Sequence, residues 1–118
     1  MRSLAAAIAG LLMAAVPHWP GFAHHGWSGY DASQTLTISG PLLDVRWANP
    51  HGTAKIRYNG STWDVVLAPT ARMEARGLTA DMIDKGQPVT LVGYPRSDGT
   101  KEMRIERLTV NGKTIELR

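Results

Sequence analysis

The stretch TAKIRYNGSTWDVVL, residues 53–67, decides the fold of this chain. Ala54, Ile56 and Tyr58 alternate with polar residues, as one face of a half-buried strand requires, and Trp63, Val65 and Leu67 repeat that pattern. Between the two runs stands Asn59-Gly60, the pair that most readily accepts positive φ at both central positions of a two-residue turn. The stretch therefore predicts a tight antiparallel hairpin.

Upstream, Leu36-Thr37-Ile38-Ser39-Gly40 alternates in the same way. The phase then slips, because Leu42 and Leu43 are adjacent and Val45 and Trp47 follow Leu43. A long first strand that changes face near Gly40-Pro41 accounts for this through a bulge or bend. Downstream, residues 70–85 lose the period of two. Thr70 is the expected cap of a short helix carrying Met73 and Glu74, with Gly77 ending it. Thr79 opens a second helical turn through Asp84, ended by Gly86. Strand character returns at Val89, Leu91 and Val92. Asp98-Gly99 marks another hairpin, Met103 and Ile105 alternate, and the phase slips again toward Leu108 and Val110. Asn111-Gly112 is a third tight turn before Ile115 and Leu117. Three strands, a helical segment, then two or three more strands match a mainly β protein, a small OB-like β-barrel of five or six strands with its short helical segment between strands 3 and 4. An open β-meander with a helix at one end is the alternative.

The first residues carry a different signal. Arg2 is followed by the apolar run Leu4 to Val16, then by Pro17 and Pro20, and Gly21-Phe22-Ala23 places small residues where signal peptidase requires them. Residues 1–23 are thus expected to be a signal peptide, and residues 24–118 a single exported domain in the periplasm. The apolar run is about two-thirds of the roughly 20 residues that a membrane-spanning helix needs. No stable membrane insertion is expected after cleavage, and an uncleaved interfacial anchor is the alternative. The sequence holds no Cys, so neither a disulfide nor lipidation at cysteine is available. Without Arg2, twelve Lys and Arg face ten Asp and Glu. That near balance, with the signs interspersed, argues against nucleic-acid binding.

Cleavage after Ala23 leaves His24 first and His25 second. An amino-terminal histidine is a chelate, because its α-amine and ring nitrogen can close on one ion. The α-amine has an ordinary pKa near 7.7–8.0, so metal competes with its proton at neutral pH. The only further histidine after the cleavage point is His51, in Asn49-Pro50-His51-Gly52, a run suited to a type I turn. The expected metal site is the amine with His24 and His51, with His25 replacing or joining either ring. Nitrogen ligands of this kind suit copper. It requires the turn at His51 to approach residue 24. Trp27 and Asn49 are the expected supporting residues: Trp27 either anchors the amino terminus on the barrel or covers a binding face, and Asn49 opens the turn. Trp47 and Trp63 fall on apolar phases and read as core. A solvated terminus and a turn histidine with no ligand role form the competing reading, which leaves a binding or adaptor module for a protein or small ligand.

Enzymatic patterns are missing. Ser28 lies near the histidines but has no G-x-S-x-G context. Asp31, Asp64, Asp81 and Asp84 show no paired-carboxylate spacing, and no phosphate-binding or dinucleotide fingerprint occurs. A non-catalytic protein is expected.

The run His24-His25-Gly26-Trp27-Ser28, with Tyr30-Asp31, Asn49-Pro50-His51, Trp63, Gly77-Leu78, Gly86 and Gly93, resembles a family of small exported bacterial proteins of unknown function. The resemblance spans residues 24–118 and implies export and this fold, without an activity. On strand order the chain is also similar to the OB-fold proteins of the bacterial periplasm, which implies binding of small or cationic ligands without catalysis.

Overall fold

A computed structural model describes residues 26–118. The expected signal segment, His24 and His25 lie outside the described residues. The hairpin at the centre of the sequence forms as expected. Strands β3 (Thr53–Tyr58) and β4 (Ser61–Val66) pair antiparallel from Thr53↔Val66 to Tyr58↔Ser61. Asn59 and Gly60 both take positive φ, +48° and +76°. The same turn chemistry at Asn111 (φ +51°) and Gly112 (φ +74°) joins β6 (Glu102–Val110) to β7 (Lys113–Glu116).

The first strand is two pieces, β1 (Leu36–Pro41) and β2 (Leu43–Arg46). The irregularity lies past Gly40-Pro41: both residues pair in register with Val89 and Pro88. The register shifts between Leu43 and Arg46, where Asp44 takes φ +46°. This extra residue re-aims the strand, so β1 pairs with β5 (Pro88–Pro95) while β2 pairs with β3. Hydrogen-bonded neighbours run β1-β5-β6-β4-β3-β2, with β7 on β6. The path starts and ends on the two halves of one bent strand, so the sheet curls round on itself as a small mainly β, OB-like barrel. The β4–β6 pair is parallel and all others are antiparallel.

The second phase slip has the same kind of cause. Val92 pairs with Arg107 but Gly93 with Ile105, leaving Glu106 as the extra residue on β6. Met103 and Ile105 point inward before it, Leu108 and Val110 after it, and all four are buried. The core gathers Ile38, Ile56, Val65, Leu91 and these residues, and is closed at one end by Met73, Leu78 and Ile83.

Helix α1 (Thr70–Ala75) and a single 3₁₀ turn (Ala80–Met82) lie between β4 and β5, as the strand count required. Gly77 (φ +89°) follows α1. Thr70 is not its cap: Pro69 holds that position, and the Thr70 hydroxyl instead donates to Asn49 Oδ1 at 3.0 Å. Trp47 and Trp63 are half-buried at the margin of the core rather than inside it. Trp47 Nε1 donates to Glu74 at 3.2 Å, because an indole N–H needs a partner that the apolar interior lacks. Asp98-Gly99 does not make a two-residue turn either. It sits in a wider connection in which Arg96 N–H bonds to Glu102 O and Gly99 N–H to Arg96 O. Among the described residues no helix is long and apolar enough to cross a membrane.

Candidate functional site

Three separate pieces of chain meet at one end of the β3–β4 face. The first is the turn at 49–52. Its Asn49–Pro50 peptide is cis. The backbone of Gly52 is committed outward: its N–H bonds to Ala68 O and its carbonyl accepts from Leu67 N–H, both at 2.9 Å. Gly52 is therefore the first rung of the β3–β4 ladder rather than the end of a turn. A Cβ on it would lie 2.7 Å from the Met73 methyl, so the turn is packed onto α1. Thr70 holds Asn49 from the other side. Asn49 thus fixes the turn that carries His51.

The second piece is the strap that precedes β1. Asp31 N–H bonds to Pro95 O at 2.8 Å, Ser97 N–H to Gly29 O at 3.0 Å, and Tyr30 bridges to Arg96. Trp27 packs edge-on against Tyr30 and Tyr94, with ring centroids 6.3 and 6.0 Å away. Two guanidiniums, Arg104 at 4.5 Å and Arg118 at 4.6 Å, lie over its ring. Each such contact contributes about 0.5–2 kcal/mol according to how dry it is. Trp27 thus rests on the barrel through Tyr94, Arg104 and Arg118.

The third piece is the β5–β6 end. Arg96 reaches Glu102 Oε2 at 3.4 Å and Asp98 Oδ2 at 3.3 Å. The Tyr30 hydroxyl donates to the same Glu102 oxygen at 2.9 Å. Tyr30 is buried, and its phenol is pushed up to about 12, first by that burial and then by the bond to Glu102 and its charge. Burial alone works to lower the Arg96 guanidinium, but Glu102 and Asp98 outweigh it and hold Arg96 above its ordinary value. Arg104 is only 6% exposed. Burial drives it below its ordinary value and the nearby Arg72 and Arg118 charges act the same way, against the opposing pull of Tyr30. Its Nη1 donates to Gly26 O at 3.1 Å.

Between these pieces opens a cavity of about 260 Å³ lined by Tyr30, Pro50, His51, Thr53, Val66, Arg96, Glu102 and Arg104. A neighbouring hollow past Asp44, Lys55 and Asp64 shares Thr53, Val66 and Glu102 with it. In an OB barrel the face of strands 2 and 3, with the loops joining strands 1–2 and 4–5, is where ligands bind. Here these are β3 and β4, the connection carrying His51, and the connection after Arg96, and the cavity lies among them.

His51 lines the cavity, Asn49 is held by Thr70, and Trp27 lies against Arg104, which also lines the cavity. Among the described residues no group of three His, Cys, Asp or Glu could hold a metal ion. Within them His51 is a single candidate ligand, and its expected partners His24 and His25 fall outside. Sequence reasoning missed Arg96, Glu102 and Arg104. Arg104 stands between Met103 and Ile105 in an alternating strand, where a charged residue reads as solvent-facing. Its burial under the strap, against Trp27 and the Gly26 carbonyl far away in sequence, shows otherwise.

Fold and face together define an OB-like barrel with a cavity of about 260 Å³ on the face of β3 and β4. Residues 11–104 match the model of a family of unknown function, DUF6152, and the chain belongs to that family. All the cavity residues fall inside the matched span. No curated protein matches the chain.

Proposed function

We propose that the protein is exported to the periplasm and binds a transition metal, copper by its ligand chemistry, between its mature amino terminus and His51. The observation that carries this reading is the bond from Arg104 to the Gly26 carbonyl. Arg104 lines the same cavity as His51, so the chain directly after His24-His25 is tied at the rim of the His51 cavity. Two residues span at most ~7 Å of extended chain, so the reading requires His51 to lie within that reach of Gly26. The donors are the α-amine, the His24 ring and the His51 ring, with His25 able to replace or join either ring. Three nitrogen donors of this type suit Cu(II), and they must shed protons to bind it, so affinity rises with pH. The role is storage, delivery or sensing, without catalysis.

The test is Cu(II) competition titration of protein whose start at His24 has been verified by mass spectrometry. His51→Ala lowers the affinity by about tenfold or more under this reading, because a lost ligand weakens a site at least as much as a lost supporting contact. Unchanged affinity removes His51 from the site. The second reading, a binding or adaptor module without metal, is favoured by the cavity itself, which lies on the face that OB barrels use for other ligands.

A further inference from the structure

We propose that Glu106, the bulged residue of β6, is a positioning residue for the copper site: it fixes Tyr94 and Arg118 as the platform on which Trp27, and with it the mature amino terminus, is held. This rests on the copper reading. The bulge is what makes the residue available. Between Val92↔Arg107 and Gly93↔Ile105 one residue of β6 has no partner on β5, and it is Glu106. Ile105 and Leu108 stay in the core on either side. Glu106 and Arg107 therefore both face away from the core, where strict alternation would turn one of them inward. Tyr94 stands between the buried Gly93 and Pro95 and faces the same way. Its hydroxyl donates to Glu106 Oε2 at 3.0 Å. That bond raises the Tyr94 phenol above its ordinary value, so the hydroxyl keeps the proton it donates.

The same carboxylate reaches Arg118 Nη1 at 3.7 Å, and Arg76, just past α1, holds the Arg118 carbonyl at 3.1 Å. Arg118 so held lies over the Trp27 ring, 4.6 Å from its centroid, and Tyr94 meets that ring edge-on at 6.0 Å. Arg107 also lies 3.7 Å from Glu106 but pairs more closely with Glu116, at 3.0 Å. Tyr94 and Arg118 are thus the side chains that Glu106 holds against the indole. Of the two, the Tyr94 bond is the firmer, because it is short and charge-assisted, whereas Arg118 is half exposed and its ion pair is screened by solvent. A copper site that closes the amino terminus on His51 is a binder in two parts. The α-amine and the His24 ring form one chelate, and the effective concentration of His51 at that chelate depends on how firmly the strap holds the amino end. Glu106 acts on the closure and leaves the amine–His24 chelate itself untouched.

The experiment is a double-mutant cycle read by Cu(II) competition titration, on chains whose start at His24 is verified: unmodified, Glu106→Ala, His51→Ala and the two together. Glu106→Ala is expected to weaken Cu(II) binding by about tenfold, the lower end of what loss of an outer support costs a metal site. In the His51→Ala background the same substitution is expected to change nothing, because no closure is left to support. Tyr94→Phe keeps the charge and the ring packing, and carries the same cycle should Glu106→Ala not fold; its expected loss is about threefold, that of one hydrogen bond. Unchanged affinity in the His51 chain overturns the proposal. So does a loss of equal size in both backgrounds, which would mean that Glu106 acts on the ion through its charge or on the fold as a whole. Failure of the copper reading shows in a different arm: His51→Ala alone would then leave the affinity where it was.

Discussion

At Gly93 a side chain has no room: a Cβ would lie 2.2 Å from Arg104 O and 2.8 Å from Ile105 Cα. The approach is the consequence of the Glu106 bulge, which draws the two strands together opposite Gly93. Gly93→Ala is expected to destabilise the fold by about 3 kcal/mol, the upper range for forcing atoms into a packed site. Thermal denaturation reads this as a loss of roughly 10 °C or more in Tm for a domain of this size. Tyr30 gives a prediction with a sign. Its phenol has a raised pKa, about 12 against an ordinary 10.0, so the folded state favours the neutral form. The stability this contributes is complete below pH 10 and is lost as pH rises from about 10 through 12. Tyrosinate absorbance should therefore show a late step near 12 that disappears in Tyr30→Phe, and the alkaline loss of stability across that window should shrink in the variant. A late step that persists in Tyr30→Phe assigns it to another tyrosine.

The strap before β1 is the element on which the site depends, and it is held by few contacts: a short backbone ladder to β5, the Tyr30–Glu102 bond and the packing of Trp27. Trp27→Ala removes the indole from between two guanidiniums and strips both ring contacts from it. Amide exchange at Tyr30, Asp31 and Ser97 is expected to accelerate by about tenfold or more, the factor that ~1.4 kcal/mol represents, while β3 and β4 keep their protection. Uniform acceleration through the barrel would show that Trp27 supports the core instead. The hairpins were legible from local chemistry, since Asn-Gly pairs at 59–60 and 111–112 need no distant partner to choose their turn. The first phase slip announced a bulge, which falls at Leu43–Arg46 rather than at Gly40-Pro41, and the second slip coincides with the Glu106 bulge. The elements that sequence reading placed wrongly are those whose hydrogen bonds leave the segment. Thr70 faces Asn49 rather than its own helix, and Gly52 joins the ladder of Leu67 and Ala68 rather than closing a turn.

The whole molecule brings His51, Tyr30, Arg96 and Arg104 to one cavity from a turn, a strap and two strand ends. The barrel order follows from the succession of strands and the helical segment, which the sequence displays. The cavity does not, because it depends on where a bent first strand delivers the strap and on a buried arginine that local alternation assigns to solvent. The histidines were visible as residue types, while the guanidinium that ties Gly26 beside one of them was not. The proposed copper site requires amino terminus and turn to converge, and paramagnetic broadening tests this most directly. Substoichiometric Cu(II) is added to ¹⁵N-labelled protein beginning at His24, and amide intensities are followed. The predicted result is loss of signal at Trp27, His51 and Gly52 together, with the turns at Asn59-Gly60 and Asn111-Gly112 retained. Broadening confined to the residues before Trp27, with His51 and Gly52 untouched, would contradict it.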